Sequence, residues 1–358
     1  MNALTRKQDL MPKIPTAEVT ALLKRGVQDK VFPGAVWAIG GPGVQATGAV
    51  GVLDPAEPTL AMQTDTVFDV ASLTKIVAVW SSIGVLWEAG RLALDDRLDT
   101  HLPETVGYPL GDVTVHHLLT HTAGVPLRSQ LKALYGADPD AIRHGVLQEA
   151  AHRPAGEAVE YTDRAALILG YVVEAISGQP LDIFVRRAVW EPLRMHTTAF
   201  GPMPSSATWR CAPTELDEST GDHLRGVAHD FSARLLGGVC GIAGAFSTAA
   251  DLGNFATHLL TPANGSQFGA KWTAESLRIQ TGDLEPARGL FWHPAPGTAP
   301  DDEVWVHYGF TGTGLWVSPK HGRWATLLTN KLYYTRDREP IAEVRNAFRA
   351  LTLSGPVK

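Results

Sequence analysis

Two places in this chain have the residue types and spacing of an activated nucleophile. Ser-x-x-Lys occurs at Ser72-Leu73-Thr74-Lys75 and again at Ser129-Gln130-Leu131-Lys132. On a helix, a spacing of three puts both side chains on one face about one turn apart, so a lysine can assist proton removal from the serine hydroxyl. The two contexts differ. Ser72 stands at the head of a run, Ile76 to Trp87, that carries no charge and predicts a buried helix from about Ser72 to Gly90. Ser129 lies in a polar stretch and reads as surface. In a first helical turn, burial and the dipole both push a lysine pKa down, as a lysine base requires. The competing reading is that Lys75 only snorkels to the surface from an ordinary core helix.

Further elements with chemical potential follow in the chain. In PAGEAVEYTDRAALILG, a loop meets a helix beginning near Asp163. Tyr161 there could relay a proton, and Asp163 could hydrogen-bond a lysine or a substrate amide. The plain alternative makes Asp163 an N-cap and Tyr161 a packing aromatic. Near the end of a β-like run, His307-Tyr308-Gly309 precedes Phe310-Thr311-Gly312. The histidine can polarise or protonate, and Gly309 would let a substrate backbone lie close. Lys320-His321-Gly322 reads as a polar turn. No Gly-x-Ser-x-Gly elbow, P-loop or complete dinucleotide fingerprint occurs. His117 and His121 are four apart, but no HExxH frame surrounds them, so neither a metal nor a cofactor is expected.

The elements that must position these residues can be read from patterning. TAEVTALLKRGVQDK has helical spacing, with Thr16 a plausible N-cap. GAVWAIG (34–40) and VQATGAVG (44–51) predict a hairpin about Gly41-Pro42-Gly43. Between about 95 and 234 helical patterns dominate. β-like runs return at GLFWH, EVWVHYG, GTGLWVSP and RWATLLTN, followed by a helix in PIAEVRNAFRALTL. The expected architecture is α+β: a discontinuous domain of residues 1–94 plus 235–358, an all-helical insertion of 95–234, and a site in the cleft between them.

Composition narrows the function classes. The 358 residues are 44% hydrophobic and 19% charged, an ordinary globular profile, and the formal net charge is −6. Without a Lys/Arg-rich run, neither nucleic acid nor an anionic membrane surface is an expected partner. The two cysteines, Cys211 and Cys240, allow one bridge but no disulfide framework. MNALTRKQDLMPKIPT lacks the apolar core of a secretory signal, and no apolar stretch approaches a bilayer span. The expected compartment is the cytoplasm and the expected partner a small-molecule substrate. Trp292, Trp305 and Trp316, near the third element, suit an apolar acyl pocket and suit core packing equally well.

Taken in order, these elements resemble the serine β-lactamase and penicillin-recognising hydrolase family, more narrowly its class C-like branch with DD-peptidases and family VIII carboxylesterases. That family carries Ser-x-x-Lys, Tyr-x-Asn and Lys/His-x-Gly at about this spacing. TDTVFDVASLTK, LDDRLDTHLPE, VTVHHLLTHTAGVP, EPLRMHTT and HYGFTGTGLWVSP also look family-typical. The resemblance covers roughly residues 30 to 350. It implies a β-lactamase-like antiparallel sheet flanked by helices and acyl transfer through a covalent intermediate on Ser72. Lys75 and Tyr161 would share the proton transfer. The backbone N–H groups of Ser72 and Phe310 would form the oxyanion hole, and Asp163, His307 and Gly309 would contact substrate.

Three departures from the family pattern bear on specificity. Asp163 stands where the family has asparagine; an ionised carboxylate cannot donate to a substrate amide carbonyl, and beside Lys75 it would raise the lysine pKa. His307 replaces a lysine and removes a permanent positive charge. In GGVCGIAGAF, Ile242 stands where relatives often carry histidine. Together these favour a carboxylesterase of small acyl esters. A D-peptide amidase or weak β-lactamase using the same residues is the first alternative, and a non-catalytic binding protein on the same fold the second.

Overall fold

The computed structural model describes residues 14–41, 44–127, 130–262 and 268–353. The leading segment 1–13, which carries the compartment expectation, and Ser129 of the second Ser-x-x-Lys lie outside the described residues. Helix α1 (Thr16–Gln28) buries Val19, Leu23 and Gly26, and Pro15 rather than Thr16 occupies its N-cap position. Strands β1 (Gly34–Gly41) and β2 (Val44–Gly51) pair antiparallel from Gly34–Gly51 to Gly41–Val44, as the hairpin pattern predicts. Strands β3 (Phe68–Asp69), β4 (Ala199–Phe200) and β5 (Ala245–Ser247) make a small sheet ordered β3-β5-β4. Because β4 comes from the 95–234 segment, that segment is not purely helical.

Strands β6 (His293–Pro294), β7 (Trp305–Tyr308), β8 (Gly314–Ser318) and β9 (Arg323–Thr329) join the hairpin in a six-stranded sheet ordered β2-β1-β9-β8-β7-β6. Its pairings are antiparallel. Alternation along β1 fixes the two faces. Ala35, Trp37 and Ile39 pack with Val19 and Leu23 of α1 and with Val344 and Phe348 of helix Glu339–Leu353. Val36 and Ala38 face the larger core, which continues through Phe255 of helix Ala249–Leu260 into the 95–234 segment. Trp292 and Trp316 are fully buried and Trp305 nearly so; all three belong to core clusters, so the packing reading of these tryptophans holds.

Two expectations need correction. GLFWH is not a strand: only His293 enters β6, and Phe291 has a left-handed φ of 63° with its amide donating to the Leu119 carbonyl at 2.7 Å. The helix expected over 72–90 is broken into a 3₁₀ turn (Ala71–Leu73), a π-helical turn (Lys75–Trp80) and α2 (Ser81–Glu88). Within it the Val77 carbonyl accepts from the Trp190 indole (2.8 Å) and the Ser81 hydroxyl (2.9 Å). These extra donors let the ladder depart from the i→i−4 pattern, a common feature of helices at functional sites. Cys211 and Cys240 are both buried and free, so no bridge links them. Among the described residues no single helix is long and apolar enough to cross a membrane.

Candidate active site

Strand β3 delivers the chain into the 3₁₀ turn carrying Ser72. Ala71 holds a left-handed φ of 50°, which for a residue with a Cβ needs support from outside. Asp69 supplies it: Oδ1 accepts from the Ala71 amide at 2.8 Å, and Oδ2 accepts from the His229 amide at 2.7 Å and Nδ1 at 2.9 Å. Both side chains are buried. Burial opposes charge on each, but their mutual attraction and hydrogen bonds win, lowering the Asp69 pKa and raising that of His229. The pair is therefore an ion pair bracing the Ser72 turn.

Lys75 is fully buried beneath Ser72. An ammonium has three donors, and Lys75 Nζ lies 3.1 Å from Ser72 Oγ, 2.8 Å from the Ile242 carbonyl and 2.7 Å from Asp163 Oδ1. Burial pushes its pKa down, yet attraction to Asp163 and Tyr161 outweighs burial and raises it above the ordinary lysine value. This overturns the expectation of a depressed lysine pKa and bears out the effect argued for Asp163. Asp163 is free for this role because it does not cap its helix. Thr162 is the N-cap of helix Asp163–Ser177, its hydroxyl accepting from the Arg164 amide at 3.1 Å.

Tyr161 is 40% exposed at the cavity mouth, with Lys75 Nζ 5.4 Å and the Arg288 guanidinium 5.7 Å from its ring centroid. The loop holding it is clamped by His121. The Glu160 amide donates to the His121 carbonyl at 2.8 Å, the Thr162 amide donates to His121 Nδ1 at 3.4 Å, and the imidazole lies 4.7 Å from the Tyr161 ring. Phe291 stacks on that imidazole at 5.1 Å. Burial, with the nearby positive charge of Arg288 and Lys75, holds His121 well below its ordinary pKa, so it is neutral. His117 has a different task, closing a capping box with Thr114. Replacing the ring while keeping a residue that tolerates the left-handed φ of 58° at His121 isolates its contact with Tyr161. His121→Asn is expected to lower kcat roughly tenfold with KM within about twofold. Steady-state kinetics check this, and an equal fall of stability and KM would mark a purely structural role.

His307, on β7, donates from Nδ1 to the Phe291 carbonyl at 2.7 Å, which fixes the tautomer and leaves Nε2 a bare acceptor, buried and without a partner. Burial holds its pKa well below 6.5, so His307 carries no charge. Packing against the Ser72 turn by itself requires glycine at 309. A Cβ there would lie 2.0 Å from Thr313 Oγ1 and 2.4 Å from the Val70 carbonyl. The Thr311 hydroxyl donates to the Asp69 carbonyl at 2.8 Å and the Thr313 hydroxyl to the Val70 carbonyl at 3.1 Å, stapling the segment after β7 to the Ser72 turn. Phe310 then stacks on His229 at 5.9 Å.

The structure thus brings together Ser72, Lys75, Tyr161, Asp163, His307, Gly309 and Phe310. Ser72, Tyr161, Arg288, His307, Gly309 and Phe310 line one cavity of about 480 Å³, and Lys75 lies below it. Lys320 and His321 sit in the turn between β8 and β9, where His321 bonds Ser318. Among the described residues no group of three or more His, Cys, Asp or Glu side chains could hold a metal ion. Sequence reasoning missed the Asp69–His229 brace, the His121 clamp, the Ile242 carbonyl and Arg288. The clamp and Asp69 lie in the family-typical stretches VTVHHLLTHTAGVP and TDTVFDVASLTK, and Ile242 drew notice only for its side chain; His229 and Arg288 left no trace.

The β-lactamase family model matches residues 19–349. A protein of Escherichia coli (strain K12) named for D-alanyl-D-alanine carboxypeptidase activity is 29% identical over 312 residues, covering 77% of this chain and 71% of that one. Among solved structures, a β-lactamase/D-alanine carboxypeptidase from Pseudomonas syringae aligns with a TM-score of 0.75 at 19% identity, over 95% of this chain and 99% of the other. EstCE1, a hydrolase with promiscuous acyltransferase activity, aligns at 0.73 and 19% identity, over 93% and 98% of the two chains. The two structural likenesses establish the β-lactamase fold. With the family match over most of its length, the chain belongs to the β-lactamase family and is a serine hydrolase.

Proposed function

We propose that the protein is a carboxylesterase of small acyl esters that works through an acyl-enzyme on Ser72. The Ser72 oxygen forms a bond to the ester carbonyl carbon, and its proton passes to the Tyr161 oxygen. Tyr161, acting in its phenoxide form, takes this role because the Lys75 ammonium is already engaged by Ser72, Ile242 and Asp163. The amides of Ser72 and Phe310, at the edges of one cavity, would receive the oxyanion. Collapse of the tetrahedral intermediate breaks the bond to the leaving alkoxide, which takes the proton from Tyr161. Water, activated by the same tyrosine, then releases the acid and frees Ser72.

The observation that carries the ester reading is the Asp163 carboxylate bound to Lys75 at 2.7 Å. It offers only acceptors, so a substrate amide carbonyl finds no donor there, and an ester loses nothing by that lack. The relative named for D-alanyl-D-alanine carboxypeptidase activity favours a second reading, D-peptide or β-lactam hydrolysis at the same serine. A panel of 4-nitrophenyl butyrate, nitrocefin and a D-Ala-D-Ala peptide separates the two. The butyrate ester is expected to give the highest kcat/KM, and faster turnover of either rival reverses the ranking.

A further inference from the structure

One wall of the cavity gathers positive charge without matching carboxylates. Around the Phe310 ring, Lys331 Nζ lies 5.0 Å from the centroid and the guanidinium carbons of Arg336 and Arg338 each 4.9 Å. Arg336 is paired with Glu215. Lys331 donates only to neutral carbonyls, those of Thr335 (3.2 Å) and Asp337 (2.7 Å). Arg338 is exposed and makes no ion pair among the described residues. The nearby Asp337 carboxylate accepts from the Glu339 amide at 3.1 Å and attracts Lys331 without forming an ion pair with it or with Arg338. Behind them Arg345 also donates to carbonyls, those of Gly309 and Thr313, at 2.6 Å each.

Three further observations point from this cluster to a ligand. Lys331, Arg338 and Arg345 line the same cavity as Ser72. Ile341 and Ala342, from the first turn of the 15-residue helix Glu339–Leu353, line it too, and a helix N-terminus adds positive potential. The cluster is electrostatically costly as it stands: burial and repulsion from Arg345 and Arg338, only partly offset by the Asp337 carboxylate, bring the Lys331 pKa down to about 8. A chain of net charge −6 thus places Lys331, Arg338 and Arg345, with no ion-paired carboxylate among the described residues, along the cavity that Ser72 lines, an arrangement that an arriving anion relieves.

We infer that Lys331 and Arg338, beside the Phe310 ring, form a subsite for a doubly charged oxyanion on the substrate, with a phosphate monoester the fitting chemistry. Two cations without an ion-paired carboxylate favour a dianion over a single carboxylate, which would pair with only one of them. The inference rests on the Ser72 reading of the site and narrows its substrates to acyl esters that also carry a phosphate-type group. It also replaces, from another part of the fold, the positive charge that His307 lacks.

The test reads binding separately from turnover. Ser72→Ala protein is titrated calorimetrically at pH 7.5 with butyl phosphate, pentanoate and 1-butanol. Butyl phosphate is expected to bind at least about tenfold more tightly than pentanoate, with an advantage that shrinks as salt is raised. Adding Arg338→Glu, a change at an exposed residue, is expected to erase that advantage. Equal binding of butyl phosphate and pentanoate overturns the subsite, as does an advantage that survives Arg338→Glu. If butyl phosphate binds as expected while the wild-type protein turns over no ester, the esterase reading falls and the subsite stands.

Discussion

Ser72→Ala is expected to lower hydrolysis of 4-nitrophenyl butyrate by roughly four to six orders of magnitude. The loss is this large because the hydroxyl is the only group in the scheme that bonds to the substrate carbon; without it, only the rate due to binding and oxyanion stabilisation is left. The substitution should spare the fold. Lys75 keeps its contacts to Asp163 at 2.7 Å and Ile242 at 2.8 Å, so no buried charge is orphaned. Intact-protein mass spectrometry after a fluorophosphonate probe should show one adduct on the wild type and none on the variant. Ser129→Ala is expected to leave both readouts unchanged. Hydrolysis by Ser72→Ala above about 1% of the wild-type rate would place the nucleophile elsewhere.

The second large effect belongs to the brace beneath Ser72. His229→Leu removes one partner of a buried ion pair and leaves the Asp69 carboxylate without its counter-charge, which costs about 3–5 kcal/mol of stability. Urea unfolding measures this directly. Activity should fall as well, because Asp69 also holds the Ala71 amide at 2.8 Å and so the turn that aims Ser72. The pair gives the wild type a two-sided pH dependence. The Asp69 pKa is depressed in the fold, so its contribution is present above the ordinary carboxylate range and is lost as pH falls through the depressed value. The His229 pKa is raised, so its contribution is present below the ordinary imidazole value and is lost as pH rises through the raised one. Stability from the brace is therefore greatest between those limits, and His229→Leu should flatten that part of the stability–pH curve. An unchanged curve, or a loss under about 1 kcal/mol, would show that the two charges are not paired in solution.

What the sequence revealed and what it hid divide along physical lines. Short, mostly apolar runs such as 34–40 and 323–330, bounded by turn residues, declare themselves, because a strand covered on both faces is buried along nearly its whole length. Ser72, Tyr161 and His307 were legible as a set, because each alone has an ordinary packing or capping reading and only their order matches the family pattern. GLFWH was not, since four apolar residues fit a strand or a buried irregular segment equally well; the Leu119 carbonyl, far away in sequence, decided it. The protonation of Lys75 was open for the same reason. Burial and the first-turn position argue one way, and only the 2.7 Å contact to Asp163, across 88 residues of chain, decides the other. Arg288, Lys331, Arg338 and Arg345 left no local signature, because what matters is the absence of an ion-paired carboxylate among the described residues, which only the fold reveals.

The Ile242 carbonyl has a consequence for how this protein tolerates mutation. Relatives that place histidine here would offer a side chain, but in this chain the contact to Lys75 is made by the backbone at 2.8 Å. Selection can then act on the path of the main chain rather than on the identity of residue 242. Its neighbours set that path: a Cβ on Gly241 would lie 2.0 Å from the Ala166 carbonyl, and Gly244 has a φ of 108° that other residues rarely adopt. In a saturation library, position 242 should accept a broad range of apolar replacements, while 241 and 244 should admit almost nothing but glycine.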